Sequence, residues 1–82
     1  MQTTLDVAHH PVTGPHLLLA TPLGGEHIAS RLEALGWQQG LADLDLWGRT
    51  ATPEAAVAVR RLLGKGLLVT QAAGDWYRAA MS

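Results

Sequence analysis

The sequence contains no cysteine and no phenylalanine, and Ile28 is its only isoleucine. Without cysteine there are no disulfides and no thiolate metal ligands, so the stability of the 82-residue chain must come from packing alone. A chain of this length suits one small domain, near the lower size at which a single core suffices. Without Phe, the core must be built from Leu, Val, Ala and the large anchors Trp37, Trp47 and Trp76. No run of roughly 18 apolar residues occurs, so no membrane span is expected. The chain does not open on a basic segment, an apolar stretch and a small-residue cleavage site, so no signal peptide is expected either. A cytoplasmic location suits the absence of cysteine. At 48% hydrophobic residues and a mean hydropathy of +0.09, the composition favours folding over disorder.

A strong excess of either charge is also lacking. The formal net charge of −1 argues against strong non-specific attraction to nucleic acid. The distribution is less even. Residues 1–48 set Arg31 against Asp6, Glu26, Glu33, Asp43 and Asp45, whereas residues 49–82 set Arg49, Arg60, Arg61, Lys65 and Arg78 against Glu54 and Asp75. A nucleic-acid-facing surface would therefore belong to the second half.

Residues 1–15 hold two prolines and a glycine and show no helical period. Thr3 to Val7 and His16 to Ala20 are runs of strand length around the turn Pro11-Val12-Thr13-Gly14-Pro15, which predicts either a hairpin or a loose arm. Ile28, Leu32 and Leu35 recur at helical spacing and predict a helix over about 26–35, stopped by Gly36. The run from Leu41 to Trp47 satisfies a helical face and a strand alternation equally, and Gly40 and Gly48 limit it to about two turns of helix. The next helix is better marked. Thr52 is an N-cap, Pro53 occupies the first helical position, Glu54 lies in the first turn, and Arg60, Arg61 and Lys65 match the C-terminal end of the dipole. Its inward stripe is Ala55, Val59 and Leu62, with Ala58 beside it, which leaves Ala56 and Val57 exposed. Gly64 and Gly66 end it. Leu67 to Gln71 then reads as a strand, residues 72–75 as a turn, and Trp76 to Ala79 as a returning strand with Trp76 and Tyr77 on opposite sides.

Over residues 26–79 this order resembles the winged helix-turn-helix superfamily: helix, short helix, the turn Gly48-Arg49-Thr50-Ala51, helix, Lys65-Gly66-Leu67-Leu68-Val69, and a Trp76-Tyr77-Arg78 strand. The resemblance implies a mainly α fold with a small β wing, in which an N-terminal arm or hairpin (1–22) precedes a three-helix winged domain (23–82). It implies a small DNA-binding transcriptional regulator, acting as a dimer, whose third helix and wing contact double-stranded DNA. The DNA-facing residues would be Arg49, Thr50, Thr52, Arg60, Arg61, Lys65 and Arg78. The helix carries no Asn or Gln for base readout, its arginines come late, and Glu54 opposes phosphate. The alternative is a winged adaptor or inhibitor that binds a protein or peptide without DNA, through Val57, Leu63, Trp76 and Tyr77. One form resembles leader-peptide-binding domains, in which a peptide adds a strand beside the third helix. A small α+β domain with residues 41–47 as a strand is the alternative fold.

Other chemistry finds little support. His9, His10, His16 and His27 match no zinc spacing, and no metal site or cofactor is expected. Gly24-Gly25-Glu26 lacks the lysine and the spacing of a phosphate loop and reads as a helix start. Ser30 lies within helical reach of His27 but has no third partner or oxyanion donor, and Asp43 and Asp45 complete no acid–base pair. No catalytic residue is assigned, and an enzyme is not expected.

Overall fold

The computed structural model describes residues 2–81. The element order is β1 (Thr3–His10), β2 (Gly14–Ala20), a 3-10 segment (Pro22–Ile28), α1 (Ala29–Ala34), β3 (Gln38–Gln39), β4 (Leu46–Thr50), α2 (Pro53–Leu63), a 3-10 turn (Gly64–Gly66), β5 (Leu67–Val69) and α3 (Gln71–Met81). The strands form one mixed sheet in the order β3-β4-β2-β1-β5. The expected mainly α winged domain is therefore incorrect. The chain is an α/β fold built on a five-stranded sheet, with helices against one face.

The hairpin expected as one option for residues 1–22 is the centre of that sheet. β1 and β2 pair antiparallel with Leu5 opposite Leu19 and Val7 opposite Leu17. β4 joins β2 antiparallel, with Trp47 opposite Leu19, and β5 joins the other side of β1 in parallel. Side chains alternate across a strand, so these registers place Leu5, Leu17, Leu19 and Trp47 on one face. All four are buried there with Leu32, Trp37, Ala55, Ala56, Val59 and Ala73. The opposite face carries Thr4, Asp6, Ala8, His16, Leu18, Leu46, Gly48 and Thr50 and is open to solvent.

α2 forms as its sequence predicts: Thr52 has extended backbone and its Oγ1 accepts from the Ala55 N–H at 3.1 Å. Its inward stripe is shifted, because Ala56, expected on the exposed side, is fully buried while Leu62 is only half-buried. α1 is shorter than the helix expected over 26–35, although Ile28, Leu32 and Leu35 do face the core and Gly36 does follow it in a left-handed conformation (φ 88°).

Two further expectations fail. No short helix spans 41–47; the Gly40 N–H donates to Leu46 O at 2.7 Å, closing a loop, and the strand begins only at Leu46. The alternative fold with a strand near 41–47 is the closer one. The wing is also absent, since residues 71–81 form α3. Thr70 caps it: its Oγ1 accepts from the Ala73 N–H at 3.3 Å and donates to Asp6 Oδ1 at 2.9 Å. Trp76 and Tyr77 are thus neighbours on one helix, both half-buried against the core, and not on opposite sides of a strand.

Two tryptophans of equal burial differ in their polar atoms. Trp47 Nε1–H donates to Gly24 O at 2.9 Å, whereas Trp37 Nε1 is buried with no partner among the described residues. Replacing either by Phe removes similar apolar volume, but only Trp47→Phe also removes a hydrogen bond. Urea unfolding should show Trp47→Phe to be the more destabilising by about 1–2 kcal/mol; equal losses would contradict this. Thr70→Ala should cost about 1 kcal/mol, the usual worth of an N-cap, and Thr70→Ser should restore most of it.

Candidate functional site

The residues expected to face DNA do not gather on one surface. Arg49 lies on β4 opposite Leu17, on the helix-covered side of the sheet. Its Nη1 donates to Leu35 O at the C-terminus of α1 and its Nε donates to Thr50 O at 3.1 Å. It therefore caps a helix end. Thr50 is exposed at the end of β4, and Thr52 caps α2. Arg60 and Arg61 are exposed on the last turns of α2, with the Arg60 guanidinium 4.8 Å from the centroid of the Tyr77 ring. Lys65 is exposed in the following 3-10 turn. Arg78 pairs with Asp75 one turn away on α3.

Of the residues expected at a protein interface, Leu63, Trp76 and Tyr77 pack against the core. Val57 is half-buried and lines a surface depression with Glu54, Ala58, Arg61 and Ala80. Among the described residues, no group of three or more His, Cys, Asp or Glu is placed to hold a metal. His10 and His16 instead order the β1–β2 turn. His10 Nδ1 accepts from the Val12 and Thr13 N–H groups at 3.1 and 3.2 Å, and His16 Nδ1 lies 3.0 Å from Gly14 O.

The open face of the sheet needs no special account. Its side chains are a mixture of polar and apolar groups, Leu18 and Leu46 are half-buried, and sheets with antiparallel pairing commonly leave one face to water. The corner where the chain leaves β2 and enters β4 is different. Leu23, Leu41 and Leu44 are 82%, 100% and 61% exposed. Single exposed leucines are ordinary, but three on two segments that meet at Gly24 and Leu44 are more than packing explains.

These segments are rigidly joined. Leu23, Gly24 and Gly25 all adopt left-handed backbone (φ 57°, 66° and 66°) inside the 3-10 segment. The Gly24 N–H donates to Asp45 Oδ1 at 2.8 Å, and the Thr21 N–H donates to Asp45 O at 2.8 Å. Gly24 O accepts from Trp47 Nε1, and Gln39 Nε2 bridges to Leu44 O at 2.7 Å and Gly24 O at 3.4 Å. A Cβ at position 24 would meet Leu44 O at 3.1 Å, and one at 25 would meet Thr21 Cγ2 at 2.9 Å. The two glycines are therefore required by both space and dihedral angle.

Leu23 has neither justification. It is the one non-glycine residue at positive φ among the described residues, and its side chain projects into water. A left-handed L-residue costs roughly 1–2 kcal/mol, and this leucine recovers none of it by burial. The same two segments carry the carboxylates Glu26, Asp43 and Asp45, and neither residues 20–30 nor residues 38–48 contain Lys or Arg.

Sequence reasoning passed over Leu23, Leu41, Leu44 and Asp45 as site residues. Gly24-Gly25 was the available sign, but a glycine pair before a helical period reads equally well as a helix start. Leu41 and Leu44 read as part of a short run whose spacing fits a helical face and a strand alternation equally.

No protein-family model, curated protein or solved structure matches the chain. Among the described residues, no helix is long and apolar enough to cross a membrane.

Because Leu23 is strained and exposed, Leu23→Gly or Leu23→Asn should leave stability unchanged or raise it by up to about 1 kcal/mol, since relieved strain outweighs the entropy added by glycine. Thermal and urea unfolding check this. A loss above about 1 kcal/mol would mean that the leucine packs in the fold after all.

Proposed function

We propose that this chain is a non-enzymatic protein-binding module that docks a partner on the corner carrying Leu23, Leu41 and Leu44. The observation that carries this is the left-handed, solvent-projected Leu23, whose neighbour Gly24 donates its N–H to Asp45 Oδ1 and accepts at its carbonyl from Trp47 Nε1 and Gln39 Nε2. Strain without burial is expected where a side chain is kept for a partner rather than for the fold. The anchoring groups are side chains of β3, β4 and the loop between them, so the patch is presented by the sheet and needs little ordering on binding.

Regulation through double-stranded DNA is the competing proposal, carried by the exposed Arg60 and Arg61 near the end of α2. It is the less supported. The recognition-helix and wing geometry behind it is absent, Arg49 caps α1, and Arg78 is paired with Asp75. A cytoplasmic setting belongs to the same proposal, since a cysteine-free chain needs no oxidising compartment.

Site-specific photocrosslinking separates the two. A photoreactive phenylalanine analogue at position 44 should give a discrete protein adduct in producing cells, and the same analogue at Arg61 should give none. An adduct at position 61 that is lost on nuclease treatment, with none at 44, would reverse the order of the two proposals. Adducts of the chain with itself at position 44 would identify a second copy as the occupant.

A further inference from the structure

Resting on the docking function proposed above, we infer that the occupant of the Leu23–Leu41–Leu44 corner is a cationic amphipathic helix of another protein. Two observations fix its chemistry. The first is charge. Three leucines are interspersed with Glu26, Asp43 and Asp45, and the two segments that build the corner hold no Lys or Arg. None of the three carboxylates has an ion-pair partner among the described residues. A partner that buries the leucines must approach these carboxylates, so lysines or arginines beside its apolar stripe are favoured and phosphates or acidic lipid headgroups are opposed.

The second observation is that the backbone where the two segments of the corner meet is already bonded within the chain. The Gly24 N–H and carbonyl, the Leu44 carbonyl and both backbone groups of Asp45 are hydrogen-bonded within the chain, as are the Leu46 N–H and the Asp43 carbonyl. Strand addition relies on free main-chain donors and acceptors at an edge, and these groups have none to offer. Recognition at this junction runs through side chains. A helix, which satisfies its own backbone and presents apolar residues at i, i+3, i+4 and i+7, suits such a surface.

Isosteric changes can remove charge here without removing hydrogen bonds. Asp43 Oδ1 accepts from the Asp45 N–H at 3.0 Å, and Asp45 Oδ1 accepts from the Gly24 N–H. Asn at either position keeps the acceptor and loses the carboxylate.

The test uses the full chain labelled with nitrogen-15 and three synthetic amphipathic helical peptides. All share one leucine stripe and carry Lys, Glu or Gln at the polar positions. The Lys peptide should shift the amides of residues 22–26 and 40–46 saturably and more weakly as salt rises. The Glu peptide should bind at least about tenfold more weakly. Leu23→Gly combined with Leu44→Ser should weaken the Lys peptide about tenfold while the fold stays intact. Asp43→Asn with Asp45→Asn should weaken it with an unchanged melting temperature.

If all three peptides bind at these residues with equal affinity, docking stands and the cationic occupant is wrong. If none shifts these amides, the docking function itself falls. Shifts by the Lys peptide that centre on Asp6 or Glu33 would show general attraction to acidic residues and overturn the inference. So would tighter binding of the corner to phosphatidylglycerol vesicles than to the Lys peptide.

Discussion

β1 and β2 pair with Leu5 across from Leu19 and Val7 across from Leu17, and every other element takes its place from that register. The period of a strand is two, so a slip of one residue would send these side chains to the open face and bring Asp6 and Leu18 inward. With the register as it is, β2 receives β4 so that Trp47 extends the buried row, and β1 receives β5 in parallel on its far side. α2 and α3 pack together, and α3 also packs on β1. Their small buried residues, Ala55, Ala56 and Ala73, allow close approach where no phenylalanine is available to fill space.

Trp47 links that core to the surface. Its ring is buried in the row while its indole N–H reaches the carbonyl of Gly24, in the middle of the left-handed turn. Asp45, two residues earlier, accepts the N–H of the same glycine. The turn is thus over-determined from one stretch of chain, which is the condition under which a strained residue such as Leu23 persists. Core and corner are coupled through neighbouring residues: what loosens Trp47 also loosens the presentation of the leucines.

Legibility in the sequence tracked how local each determinant was. The Thr52-Pro53-Glu54 start of α2, the apolar spacing of Ile28, Leu32 and Leu35, and the left-handed Gly36 were all visible, because caps and periodicity act within a turn or two of helix. The segment after Val69 was not. Gly74-Asp75 carries a turn signal, and α3 forms across it because Ala73 and Gly74 are small enough to be buried there and Thr70 caps the first turn while bonding Asp6, 64 residues away. The candidate site was least legible. Leu41 and Leu44 have helical spacing, and only the closure from Gly40 to Leu46 and the contact with Gly24 turn them outward.

By itself the sequence determined a cysteine-free chain whose core rests on leucine, alanine and tryptophan, an acidic first half and a basic second half, and one helix with both ends marked. Composition, charge and capping are properties of residues and their near neighbours, so they survive without a fold. The tertiary structure decided that residues 3–20 are the centre of a sheet rather than an arm, that the last segment is a helix rather than a wing, and that Arg49 caps a helix. It also decided which leucines face water. Each of these depends on pairing between residues far apart in the chain, and short apolar runs of ambiguous period take their conformation from the surface they meet.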